Sequence, residues 1–246
     1  MNYFLFAICV GFATYLQGLT GFAFALVLLT LSSLLQLASV GDAANAATVL
    51  GLLNAIVYLR AHPLTPQWRV VLPALPGGLV GVGFGVLLLG WLSSNAVQLL
   101  GLMLGATIIA CAALLLVQQR TRASMSMPLS YGVAGALSGL LGGLFSAAGP
   151  PLVFHMYRQP LPQEAIRQCL FVAVAVNSLV RLILVLAVGR FSREALLLSL
   201  CAVPIVYGVS RVQRRFPLRV GSIQIRRFVA LLLMLAGAVL LVHGAR

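Results

Sequence analysis

The chain has 246 residues, 61% of them hydrophobic and 8% charged, with a mean hydropathy of +1.08. That balance excludes a water-soluble globular domain and makes the bilayer the solvent. All sixteen basic residues are arginine and the acids are Asp42, Glu164 and Glu194, giving a net charge of +13. The arginines sit in short connections between apolar runs and line no face of a folded module, which argues against nucleic acid as the partner and for membrane topology as their role.

In chain order, the stretch Asn2 to Leu37 comes first and is too long for one ordinary span. It carries no basic residue ahead of its apolar run, so a cleaved signal peptide is not expected. Gly18, Thr20 and Gly21 interrupt it near its middle. Three apolar runs follow, Ala43 to Leu59, Val70 to Leu89 and Ala96 to Val117, each near the ~20 residues a transmembrane helix needs. Pro128 to Tyr157 is again too long and again broken, at Ser146 to Pro151. Ala165 to Val188, Ala195 to Val209 and Phe228 to Val242 then complete six spans. Cys9, Cys111, Cys169 and Cys201 fall singly within apolar runs. Disulfide frameworks, metal sites, thiol relays and bound cofactors are therefore not expected.

The two broken stretches resemble each other. Gly11, Ala13, Leu16, Gly18, Leu19, Gly21 and Phe24 are matched 121 residues later by Gly132, Ala134, Leu137, Gly139, Leu140, Gly142 and Phe145. Asn54 matches Asn177, and one helical turn later stand Tyr58 and Arg181. The predicted fold is an all-α integral membrane protein of two repeats, residues 1–123 and 124–246, each a broken hairpin followed by three transmembrane helices. If each broken element returns as a hairpin, twelve arginines, from Arg60 to Arg227, share one face and only Arg190, Arg193 and Arg246 lie on the other. A single crossing would divide them seven against eight, which the positive-inside rule disfavours. The repeats are then inverted, with both termini periplasmic in a bacterial inner membrane. Arms of about 15 residues favour a re-entrant pair over full crossings.

The paired segments GLTGFAFAL from Gly18 and GLLGGLFSAAGPPLVF from Gly139, with the length and the two halves, make the chain similar to the sulfite exporter TauE/SafE family of membrane transporters. The resemblance covers nearly the whole chain. It implies export of sulfite, organosulfonates such as sulfoacetate, or related small anions from the cytoplasm.

Arg181 is the sharpest residue, because a charge well inside an apolar span costs about 3 kcal/mol on insertion scales and needs a partner. That partner is a bound anion, the carbonyls at a helix break, or water in a cavity; the plainer reading is snorkelling to the interface beside Arg190. The breaks offer helix N-termini, which attract oxyanions. Gly18, Thr20 and Gly21 in the first half and Gly142, Ser146, Gly149 and Pro150 in the second are the candidate residues, although glycines of this kind also serve helix packing. Asn54, Asn177, Tyr58, Gln17 and Ser138 either contact substrate or tie helices together. His155 is a candidate proton carrier or vestibule residue, or a structural histidine. Pro73, Pro76, Pro204 and the glycines from Gly77 to Gly85 are either hinges or packing positions. With no acid inside the spans, either His155 carries coupling or the protein is a uniporter.

The residues support an anion exporter above a general small-anion uniporter or channel for carboxylates and other oxyanions. A membrane enzyme would need a nucleophile with a base, or metal ligands, and none is recognisable. A non-transport assembly factor would leave the arginine and the paired breaks without a purpose.

Overall fold

The computed structural model describes residues 3–61, 67–116 and 122–215, with scattered positions between 230 and 241. The last expected span, Phe228 to Val242, and Arg120, Arg219, Arg226, Arg227 and Arg246 lie outside what is described. Nine helices occur among the described residues, with no strand. They are α1 (Tyr3–Thr20), α2 (Phe24–Leu34), α3 (Val40–Ala61), α4 (Trp68–Asn95), α5 (Val97–Leu116), α6 (Pro128–Phe145), α7 (Pro150–Met156), α8 (Gln163–Ala187) and α9 (Arg193–Arg215). Six of them, α1, α3, α4, α6, α8 and α9, are long and apolar enough to cross a membrane.

Both predicted breaks are present, and each has a local cause. Gly21 ends α1 at φ +87°, a conformation that suits glycine, and its amide returns to the Gln17 carbonyl at 2.6 Å. The Thr20 hydroxyl accepts from the Phe22 and Ala23 amides at 3.4 and 3.3 Å, so the turn is satisfied internally. Ser146 ends α6 in the left-handed region at φ 57°, its amide bonded to the Gly142 carbonyl at 2.8 Å. The arms are less even than expected from the sequence. α1 and α6 each run 18 residues, about 27 Å, whereas the returning α2 and α7 have 11 and 7.

The other boundaries follow from capping. Ser39 and Asp42 form a box at the start of α3, with Asp42 N to Ser39 Oγ at 3.1 Å and Ser39 Oγ to Asp42 Oδ2 at 2.5 Å. Ser192 caps α9 by accepting from the Ala195 amide at 2.9 Å, and its hydroxyl donates to Asp42. One carboxylate thus joins two helix starts.

Packing pairs helices distant in the chain. α4 lies against α6 and α9 against α1, while α3 touches α8 and α9, and α8 touches α3 and α4. The α4–α6 contact is a backbone-to-backbone zipper. A Cβ at Gly77, Gly81 or Gly85 would meet the carbonyls of Gly132, Ala136 or Leu140, and one at Gly135, Gly139 or Gly143 would meet those of Ala74, Gly78 or Val82. Rows of glycine at i, i+4 and i+8 on both helices allow that approach, which in lipid supplies the packing that hydrophobicity cannot. Of the two sequence readings of Gly77, Gly81 and Gly85, close packing is the one their surroundings match. α9 carries no such row, since Gly208 has nothing near it.

Candidate functional site

Arg181 does not snorkel. It is 1% exposed, the largest fully buried side chain among the described residues. Its Nε donates to the Gly143 carbonyl at 2.9 Å, and its Nη1 to the Ala44 carbonyl at 3.3 Å, to Asn45 Oδ1 at 3.1 Å and to the Thr48 hydroxyl. Gly143 lies in the last turn of α6, where carbonyls lack helical partners and the dipole is negative. The guanidinium is therefore held by the carbonyl end of the broken helix, one of the partners the sequence allowed. Every acceptor it reaches is neutral, so its charge is solvated and not cancelled. Nη2 is buried with no protein acceptor, leaving two N–H groups unspent.

Around this centre, Thr48 Oγ1 donates to the Ala44 carbonyl at 2.8 Å and pairs with the Ser146 hydroxyl at 3.1 Å, which brings the second break into the same cluster. Asn177, one turn before Arg181 on α8, lies against Gly78, and its Oδ1 is buried without a partner. Ser138 donates to the Ala148 carbonyl, and that residue fills the space beside Gly142. Gly149 leaves room for Phe22, so the two breaks touch. The N-terminus of α7 is a poor anion cradle, because Pro150 and Pro151 remove two of its free N–H groups.

Several predicted residues lie elsewhere. Gln17, Asn54 and Ser210 form a buried triad across α1, α3 and α9, with Asn54 Nδ2 to Gln17 Oε1 at 2.7 Å and Ser210 Oγ to Asn54 Oδ1 at 2.9 Å. Asn54 is six residues, about 9 Å, along α3 from Thr48, and its geometry is that of a helix tie. Asn54→Ala is accordingly expected to lower stability by about 1–2 kcal/mol, measured by thermal unfolding in detergent. Gly18 faces Gln213 of α9. Tyr58 donates to Glu164 at 2.8 Å and stacks on Phe171 with centroids 3.8 Å apart, at the opposite end of α3 from Asp42. Arg167 is 3.8 Å from Glu164 and also covers Gly21. His155 pairs with Ser130 at 3.2 Å and meets Tyr131 edge-on, near the start of α6. Thirteen residues of α6, about 20 Å, separate Ser130 from Gly143.

Asn45 and Thr48 are candidate-site residues that no break or internal match marks in the sequence. With Asp42 they recur at i, i+3 and i+6 in an otherwise apolar start of α3, a one-face pattern that was available. Next to them is a cavity of about 500 Å³ whose wall includes Asn45, Asp42, Val86, Val185 and Arg190. Asn45 Nδ2 also donates to the Arg190 carbonyl at 3.1 Å.

Helices long and apolar enough to span lipid, two broken elements in contact, and a buried cation held by neutral oxygens are the marks of a multi-pass membrane protein. The model of the sulfite exporter TauE/SafE family matches residues 3–240, and the chain belongs to that family, whose members are transporters and not enzymes. It is 35% identical over 208 residues, 85% of this chain and 81% of the other, to a Cupriavidus necator protein named "Probable sulfite/organosulfonate exporter TauE". No solved structure matches the chain.

Proposed function

We propose that this chain exports a small sulfur-containing anion, sulfite, sulfoacetate or another organosulfonate, from the cytoplasm across the bacterial inner membrane, with Arg181 as its principal contact. The observation that carries the reading is the Nη2 of a fully buried guanidinium, which no protein oxygen satisfies. A sulfonate or sulfite presents oxygens of the geometry that Arg recognises in pairs. Asn177 lies one turn away and the Thr48–Ser146 pair beside it; these are its companions in the site. The printed name of the Cupriavidus relative supports the substrate class.

Two equivalent halves, residues 1–123 and 124–246, account for the exchanged pairing of α1 with α9 and of α6 with α4. Their inversion, with both termini periplasmic, rests on the arginine count. In that orientation the cytoplasmic ends carry Tyr58, Glu164 and His155, and the Asp42–Arg190 cavity opens outward. An inside-negative potential drives an anion out by roughly 2.3 kcal/mol per charge per 100 mV, so export proceeds as uniport. His155, engaged with Ser130 and Tyr131 far along α6, has no part in it.

Reconstitution in liposomes with sulfite, sulfoacetate, sulfolactate, taurine and sulfate, with and without a pH gradient, tests this. The expected result is flux of the sulfur anions that follows membrane potential and ignores the pH gradient. Equal flux of simple carboxylates would replace the reading with a general anion uniporter, and no flux of any anion would end it.

A further inference from the structure

The cavity beside Asn45 lies one residue contact away from Arg181. Its inner end is polar and its walls are not. Asn45 stands at the bottom, its Oδ1 already on Arg181 and its Nδ2 on the Arg190 carbonyl. Val86, Leu89, Val185 and Val188 supply apolar wall. Val185 is one turn beyond Arg181 on α8 and packs with Val82 and Val86. At the mouth, the Arg190 guanidinium lies against Gly90. The one acid there, Asp42, already accepts the hydroxyls of Ser39 and Ser192. At about 500 Å³ the space is of ligand size and far exceeds what a bare sulfite fills.

We infer that this cavity is an exit vestibule with a binding site of its own, for organosulfonates that carry an aliphatic body. The sulfonate lies toward Asn45 and Arg181 and the carbon chain along Val86, Leu89 and Val185. Asn45 is the partition that must swing aside for the anion to pass from Arg181 into the vestibule. The inference rests on the anion-export reading and adds a preference to it: carbon-bearing sulfonates bind here better than inorganic sulfite.

The test is equilibrium binding of methane-, ethane-, propane- and butanesulfonate, and of sulfite, to the full chain in lipid nanodiscs. Affinity is expected to climb about fourfold per added methylene, the increment for burying aliphatic carbon. Val86→Asn is expected to flatten that climb and Val86→Ile to keep it. Val188→Trp, at an exposed position of the wall, is expected to lower the longest chain accepted, which provides a second readout if Val86→Asn fails to fold. A flat series on the unaltered protein, or a climb that survives both Val86→Asn and Val188→Trp, would overturn the vestibule. If sulfite binds through Arg181 while the series is flat, only the vestibule fails; if neither sulfite nor any sulfonate binds, the export reading fails with it.

Discussion

Arg181→Ala is expected to lower anion flux by about 100-fold or more while the protein still inserts and folds. The loss follows from removing a charge-assisted contact in a dehydrated site, where such a contact is worth about 3 kcal/mol or more. Folding is expected to survive because two of the four oxygens that Arg181 leaves have other company, the Ala44 carbonyl accepting from Thr48 and the Thr48 hydroxyl pairing with Ser146, while the α4–α6 and α1–α9 packing does not involve the guanidinium. Arg181→Lys is expected to fail nearly as badly. An ammonium on a flexible stem cannot span Gly143 on α6 and Asn45 on α3 while leaving donors for a ligand, as a planar fork does. Flux per folded molecule, with folding judged by size-exclusion profile and thermal unfolding, is the measurement. Flux within threefold of the unaltered protein would remove the arginine from the site.

The second large effect is expected on folding. Gly139→Leu would place a side chain where the Gly78 backbone of α4 already lies, and even Gly139→Ala puts a Cβ into that carbonyl. Backbone cannot step aside as a side chain can, so α4 and α6 must separate and the glycine rows lose their contact together. The cost is expected to exceed the 1–3 kcal/mol typical of overpacking, with little folded protein recovered for Gly139→Leu. Gly83→Ala is the control. It sits on the same α4 with nothing within 4 Å of its Cβ, and the better helix propensity of alanine is expected to leave stability unchanged or slightly raised. Yields and unfolding temperatures of the three variants, compared in one detergent, check both statements. The separation of α4 from α6 would also displace Gly143 and with it the Nε contact of Arg181, so transport is expected to fall with stability.

Much of this arrangement was legible in the residues, and the rest was hidden for physical reasons. The presence of α3, α4, α5, α8 and α9 and of both breaks followed from apolar runs and from Gly21 and Pro150, since lipid leaves the backbone few alternatives to helix. The burial of Arg181 followed from its depth in an uninterrupted run. Its partners could not be read, because Asn45, Thr48 and Gly143 lie on α3 and α6, and spacing within one helix says nothing about which neighbour it meets. Asn54 and Gln17 could be read as substrate contacts or as helix ties, and they make a tie with Ser210, a partner on α9 that spacing within α1 and α3 could not name. The hairpin arms expected at about 15 residues came out as long outgoing and short returning helices. Prolines and a left-handed serine mark where a helix ends, while its length on either side is set by what it packs against. At the second break α6 offers carbonyls to the arginine, one of the partners its sequence allowed, whereas the helix N-terminus expected to draw an oxyanion is blunted by Pro150 and Pro151.

The most direct measurement is calorimetric or thermal-shift titration of sulfite and sulfoacetate into purified protein, unaltered and Arg181→Gln, in parallel. Saturable binding to the unaltered chain and its weakening by about 100-fold in Arg181→Gln is the expected pair of results. Binding of equal strength to both proteins would contradict the buried guanidinium as the place where the anion is held.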